Sequence, residues 1–78
     1  MNPRVNSVEA NNDYTLLIVF TSGEKKLLDV KPYLDKGIFS ELKNLEIFLK
    51  VSASLGTVIW PNELDFCPDT IYLESLPI

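Results

Sequence analysis

The sequence predicts an α+β fold, in which an antiparallel meander of three strands is followed by a short helical segment, a second hairpin and a short C-terminal helix. Three observations predict this order. Three strand-like runs open the chain between short turns, apolar residues then recur at helical spacing, and a second β-branched stretch is followed by a proline that suits a helix start. With 78 residues, the chain has the length of one domain, residues 1–78, with a modest core.

The three opening strands are predicted at residues 4–10, 14–21 and 25–30. The turns between them contain an Asn-Asn-Asp sequence and Gly23, which tolerate the positive φ angles of tight turns, and connections this short pair strands antiparallel. Lys25 and Lys26 are typical of an exposed or edge strand.

The middle strand is apolar on both faces. Alternation places four apolar side chains on one face and two on the other: Tyr14, Leu16, Ile18 and Phe20, then Leu17 and Val19. This pattern predicts a central strand that is covered on both faces, or on one of them by a partner.

A helical segment is predicted over residues 38–50. Its apolar residues recur at spacings of four, three and four: Ile38, Leu42, Leu45 and Leu49. Asn44 lowers the helix propensity in the middle, which leaves one interrupted helix or two short ones open.

The second hairpin is predicted from alternation in residues 51–55, a turn at Gly56 and a β-branched and aromatic run at residues 57–60. Pro61 ends that strand because proline cannot donate to a ladder. Pro68 suits the first position of a helix over residues 68–75, which Pro77 would stop.

The net charge of −4 lies entirely in the last 16 residues, which hold four acids and no base: Glu63, Asp65, Asp69 and Glu74. Nucleic-acid binding is disfavoured because phosphate contacts need clustered Lys and Arg. The longest apolar run, residues 16–20, is too short to span a membrane, and the start lacks a signal-peptide pattern. A lone cysteine, Cys67, fits a reducing compartment, so we expect a cytoplasmic protein with Cys67 as a small buried side chain.

The chain contains no histidine, which removes the usual general base, the histidine-dependent catalytic triads and the commonest zinc ligand. Its three glycines form no phosphate-binding pattern. We therefore expect no enzyme activity, no cofactor and no metal site, and we interpret the nearby acids Glu63 and Asp65 as solvated loop residues. For Trp60 two roles stay open. It is an interface anchor, or it fills the core beneath the helices while Asn62 and Asp65 cap or brace the following loop.

The run from Trp60 to Asp69 reads W-P-N-x-x-D-x-x-P-D and follows an F-x-x-G-E turn in the first half. Together these features resemble DUF2442, a bacterial domain of unknown function, over nearly the whole chain. Glu63 departs from that pattern, which more often has glycine after the asparagine. The resemblance implies an α+β domain without an established enzymatic activity, and a two-gene, toxin-antitoxin-like pairing with another small protein.

The first functional hypothesis is a protein-interaction or regulatory module, the acidic partner of a small, basic protein. Its candidate interaction surface combines an aromatic residue with the C-terminal polar and acidic residues: Trp60, Asn62, Glu63, Asp65, Asp69 and Glu74. The alternative is a ligand-sensing domain with a pocket lined by Trp60 and Tyr72. A third hypothesis, catalysis by carboxylates alone, requires Glu63, Asp65 and Asp69 to converge. A homo-oligomer is also left open.

Overall fold

The computed structural model describes residues 2–78, apart from the side chain of Ile38. This part of the chain forms strands, two α-helices and two 3₁₀ helices. In chain order they are β1 (Val5–Ala10), β2 (Thr15–Phe20), β3 (Lys25–Asp29), a 3₁₀ helix (Lys31–Tyr33), a second 3₁₀ helix (Gly37–Lys43), α1 (Leu45–Phe48), β4 (Ser52–Ser54), β5 (Thr57–Ile59), α2 (Pro68–Glu74) and β6 (Leu76–Pro77). Within residues 2–78, no helix has the length and apolar character needed to cross a membrane. The predicted α+β fold is confirmed.

The main sheet is antiparallel, with the strand order β1-β2-β3-β6. Its first three strands are the predicted meander. The fourth was not predicted, because Pro77 was interpreted only as a helix stop. Instead Leu76 and Pro77 pair with Leu27 and Lys26 at the edge of the sheet. An edge strand tolerates proline because the missing N–H leaves no neighbouring strand without a donor.

The core lies against one face of this sheet, called the inner face here. Leu16, Ile18 and Phe20 of β2 are almost completely buried on it, as the alternation predicted. The helical segment and the second hairpin cover them with Phe48 and Trp60, whose ring centroids lie 6.2 Å apart. All but a small part of the core therefore lies between the sheet and this layer.

The predicted helical segment consists of two short helices, which was one of the two alternatives. Asn44 separates them because its backbone is extended, and its side-chain oxygen accepts a hydrogen bond from the N–H of Glu46 at 3.1 Å. It is thus the N-cap of α1. Leu42 is buried, whereas Leu49 is exposed and the side chain of Ile38 lies outside the described part of the chain.

The second hairpin, β4 and β5, forms as predicted and packs against the start of β1, where the N–H of Val5 donates to the Gly56 carbonyl oxygen at 3.0 Å. After β5, a tight turn brings the N–H of Trp60 within 2.8 Å of the Leu64 carbonyl oxygen. α2 then begins at Pro68, as predicted, and ends at Glu74.

Two expectations about single residues are wrong. Lys26 is only 8% exposed, because it lies on the inner face beneath α2. Its Nζ donates to the Tyr72 carbonyl oxygen at 3.0 Å and lies 3.6 Å from the centroid of the Tyr72 ring, so hydrogen bonding and a cation–π contact replace water. Cys67 is exposed at the start of α2, and backbone hydrogen bonds from Thr70 and Asp69 hold the pKa of its thiol below 9.0.

Candidate functional site: the outer face of the sheet

The face of the sheet opposite the core is called the outer face. The pairing register puts one row of neighbours on it, running from Glu9 through Leu17 and Leu27 to Leu76. A second row runs from Ser7 through Val19 to Lys25, and the N–H of Ile78 donates to the Lys25 carbonyl oxygen at its end. Side chains of paired residues project to the same side, so these rows form one continuous surface.

The first row is apolar across three adjacent strands, whereas Lys25 separates the apolar residues of the second. Leu17, Val19 and Leu27 are half-buried, whereas Leu76 and Ile78 are 70% and 73% exposed. A solvated face of an antiparallel sheet normally carries polar side chains. The apolar residues here are therefore available for contact with another molecule.

A groove of about 450 Å³ lies at the β6 edge of the sheet, where residues of both faces line it. Leu27, Leu76 and Ile78 line it together with Tyr33, and Asp29 and Glu74 supply its acidic side chains. Partial burial, and then the charge of Glu74, raise the pKa of the Tyr33 hydroxyl above its usual value. The phenol is therefore a neutral hydrogen-bonding group beside a negative rim.

Trp60, the first predicted interaction residue, is a core side chain and not an exposed anchor. It is 2% exposed, and its Nε1–H donates to the Phe48 carbonyl oxygen at 3.0 Å. Its ring also lies 5.9 Å from that of Phe66, centroid to centroid. Of the two roles left open for Trp60, the structure shows the core role.

Asn62 is half-buried beside Trp60 and faces the helical layer. Its Nδ2 donates to Glu41 Oε2 at 3.2 Å, so it connects the loop after β5 to the second 3₁₀ helix. Its Oδ1 is buried and has no hydrogen-bond partner among the described residues. The bracing role expected for Asn62 therefore involves a contact with a neighbouring element.

The four predicted acids are all exposed but do not form one cluster. Glu63 and Asp65 lie in the loop after β5, Asp69 lies in the first turn of α2 and Glu74 lies at the other end of that helix. Within residues 2–78, no group of three or more Cys, Asp or Glu side chains is placed to hold a metal ion. Glu74 alone of the four lines the groove at the β6 edge.

Tyr72, the partner of Trp60 in the ligand-sensing hypothesis, packs edge-on against Phe20, with ring centroids 5.0 Å apart. Its hydroxyl donates to the carboxylate of Glu24, which raises the pKa of the phenol. Neither Tyr72 nor Trp60 lines the groove at the β6 edge or a second groove beside the β4–β5 turn. Ligand sensing stays a prediction, and neither of these two grooves is the pocket lined by Trp60 and Tyr72 that the hypothesis requires.

The structure defines a small α+β domain whose meander sheet is covered on one face and open on the other. A family profile described as Protein of unknown function (DUF2442) matches residues 5–76, so the chain belongs to that family, as the residues around Trp60 indicated. No curated protein and no solved structure matches the chain significantly.

Leu76 and Ile78 could not be predicted as surface residues, because a two-residue strand that includes a proline has no recognisable pattern. One feature did indicate an open apolar face. Leu17 and Val19 occupy the second face of β2, where a polar residue would be usual. The alternative of a face covered by a partner followed from that pair.

Proposed function

We propose that this domain is a protein-interaction module and that the outer face of its sheet binds a small basic protein. The observation that carries the proposal is the continuous apolar strip over three strands, which ends in the exposed side chains of Leu76 and Ile78. The proposed role requires no catalytic group and no cofactor.

Burial of the strip supplies the driving force. Covering an exposed leucine or isoleucine completely contributes about 1.5–3 kcal/mol each. Leu76 and Ile78 are both more than two-thirds exposed, so most of this contribution is still available to a partner. The half-buried Leu17, Val19 and Leu27 provide further apolar surface between β1 and these two exposed residues.

Charge favours a basic partner. Glu9 ends one row of the outer face, and Asp29 and Glu74 line the groove at its edge. Lys25 is exposed on the second row, so with Lys31 counted as well the three acids leave this face and its edge with a net charge of −1. Lys31 pairs with Asp29 at 3.2 Å, but neither Glu9 nor Glu74 forms an ion pair within the described residues. These two free carboxylates would attract a basic surface and speed its encounter with the strip.

The family gives this proposal a biological setting. The resemblance implies a two-gene, toxin-antitoxin-like pairing, in which this acidic chain would be one member and a small basic protein the other. We propose that such a protein, encoded beside this chain, occupies the outer face.

The test begins with purification of the native complex under physiological salt and mass-spectrometric identification of the bound protein. The purified partner is then bound to Leu76→Ser/Ile78→Ser and to the original chain in a surface-based kinetic assay. We expect the double variant to weaken binding by at least about 10-fold, because two exposed apolar side chains leave the interface. Leu73→Ser is the matched control, since Leu73 is 68% exposed on α2 and does not belong to the outer face.

A second pair of variants tests the charges. Glu9→Gln/Glu74→Gln should slow association and reduce its dependence on salt, because screening acts mainly on exposed charges. Glu63→Gln/Asp69→Asn removes the same charge away from the outer face and should have the smaller effect. Unchanged affinity of the Leu76→Ser/Ile78→Ser variant would contradict the proposal, and a larger effect of the control pair would move the contact to the loop and the start of α2.

A further inference from the structure

The turn between β4 and β5 presents a leucine to solvent in an unfavourable conformation. Leu55 is 95% exposed, the highest value among the exposed large apolar residues, and its φ angle is +53°. For a residue with a branched side chain this left-handed conformation costs about 1 kcal/mol or more. Asparagine or glycine would occupy the position more favourably.

The geometry of the hairpin imposes this conformation. Leu55 and Gly56 are the two central residues of the turn, and both have positive φ angles, as in a type I′ turn. Gly56 must stay small as well, because a Cβ atom there would lie 3.0 Å from Cδ of Arg4. The leucine side chain therefore projects into solvent at the tip of the hairpin.

A second groove, of about 390 Å³, lies directly beside this tip. Leu55 forms one side of it, Ile59, Phe66 and Pro68 add further apolar surface, and Asp65 adds a charge. An exposed apolar knob and an apolar groove thus lie side by side on one surface of the domain. This surface lies toward the start of α2, whereas the groove at the β6 edge lies toward the end of that helix.

We propose that this surface binds a second copy of the chain, with Leu55 of each copy inserted into the groove of the other. Because Leu55 lies directly beside the groove, two copies can form a closed, symmetric dimer. A two-fold axis near Leu55 fills both grooves at once, whereas a knob and groove on opposite sides of the molecule would generate an open chain of copies. The inference goes beyond the proposed function, because it concerns a different surface and a different partner.

Opposite charges on this surface support a second copy as the occupant. Arg4 packs its side chain over Gly56, beside the knob, and Asp65 lies in the groove. Both are exposed, and neither forms an ion pair within the described residues. In the two-fold arrangement, Arg4 of one copy meets Asp65 of the other, and the same pair forms twice.

The test is sedimentation equilibrium of the 78-residue chain between about 10 μM and 1 mM, a range that detects dissociation constants down to the micromolar region. We expect dimers for the original chain and at least about 100-fold weaker association for Leu55→Asn, because two leucines leave the interface. Asparagine also suits the left-handed position, so the variant should unfold at a higher temperature as a monomer, and misfolding cannot explain its loss of association. Leu73→Asn is the matched control and should still form dimers.

Charge reversal tests the arrangement separately. Arg4→Glu and Asp65→Arg should each weaken association by roughly 3- to 30-fold, and the double variant should recover it, because two weak surface pairs are reversed and then restored. A chain that stays monomeric at about 1 mM, an unchanged dimer in Leu55→Asn or a double variant without recovery would each overturn the inference. Each of these results would leave the outer face and its partner untouched.

Discussion

Replacing Glu63 by glycine should stabilise the domain. Glu63 follows Pro61 and Asn62 in the turn after β5, its N–H donates to the Trp60 carbonyl oxygen at 3.0 Å, and its φ angle is +68°. This is the left-handed position of a three-residue hairpin loop, at which glycine is favoured.

The expected gain follows from two opposing contributions. Relief of the left-handed conformation is worth about 1–2 kcal/mol, and the greater freedom of glycine in the unfolded chain offsets roughly 0.5–1 kcal/mol of it. The side chain of Glu63 is exposed, so no packing is lost. The net increase lies between about 0 and 1.5 kcal/mol, and the centre of that range, about 0.75 kcal/mol, corresponds to a rise of roughly 3–6 °C in the midpoint of thermal unfolding.

Thermal unfolding followed by circular dichroism, at one fixed protein concentration, measures this change. The control is Glu46→Gly, the same substitution at an exposed position in α1, which should destabilise the domain by about 1 kcal/mol because the backbone there is helical. If Glu63→Gly lowered the midpoint as much as Glu46→Gly does, the left-handed conformation of Glu63 would be refuted.

Three further predictions concern buried hydrogen bonds and the thiol. Trp60→Phe should lower the free energy of unfolding by about 2–4 kcal/mol in urea titrations, because it leaves a small cavity and deprives the buried Phe48 carbonyl oxygen of its donor. Thr57→Val should lower it by about 1–2 kcal/mol in the same assay, because the Thr57 hydroxyl donates to the Phe66 carbonyl oxygen at 2.6 Å in the interior. Cys67 should react with iodoacetamide faster in the folded chain than in urea at neutral pH, because its pKa is lowered. By the same linkage, the free energy of unfolding should rise as the pH increases from the folded-state pKa to 9.0, and Cys67→Ser should remove that rise.

The opening meander could be predicted because its local patterns agree with its tertiary environment. Leu16, Ile18 and Phe20 alternate with less buried residues, and short turns that contain Tyr14 and Gly23, both with positive φ angles, favour antiparallel pairing of neighbouring strands. The start of α2 at Pro68 could be predicted for the same reason. Proline lacks an N–H, and the N–H of the first helical residue has no acceptor within the helix.

The misses arose where contacts distant in sequence override local preference. Lys26 looked solvent-facing from its chemistry, but its burial depends on Tyr72, 46 positions later in the chain. The pairing of β6 with β3 is equally distant, and a dipeptide with one proline carries no period to detect. Asn44 is different, because asparagine favours the N-cap position and the cap of α1 could have been predicted from the local sequence. The prediction for this segment used only the low helix propensity of asparagine.

The candidate interaction site also has a part that could be predicted from the sequence and a part that could not. Charge can be counted along a sequence, so the acidic end was visible without a structure, and all four of its acids are exposed. Apolar surface cannot be counted in this way. Whether a leucine on a strand is buried or exposed depends on which face of the sheet the rest of the chain covers. Leu76 joins Leu27 on the open side of the sheet only because β6 pairs in this register, and a shift by one residue would turn it toward the core. The sequence could therefore indicate that both faces of β2 are apolar. The extent of the outer face depends on β6, which has no pattern of its own in the sequence and forms only by pairing with β3.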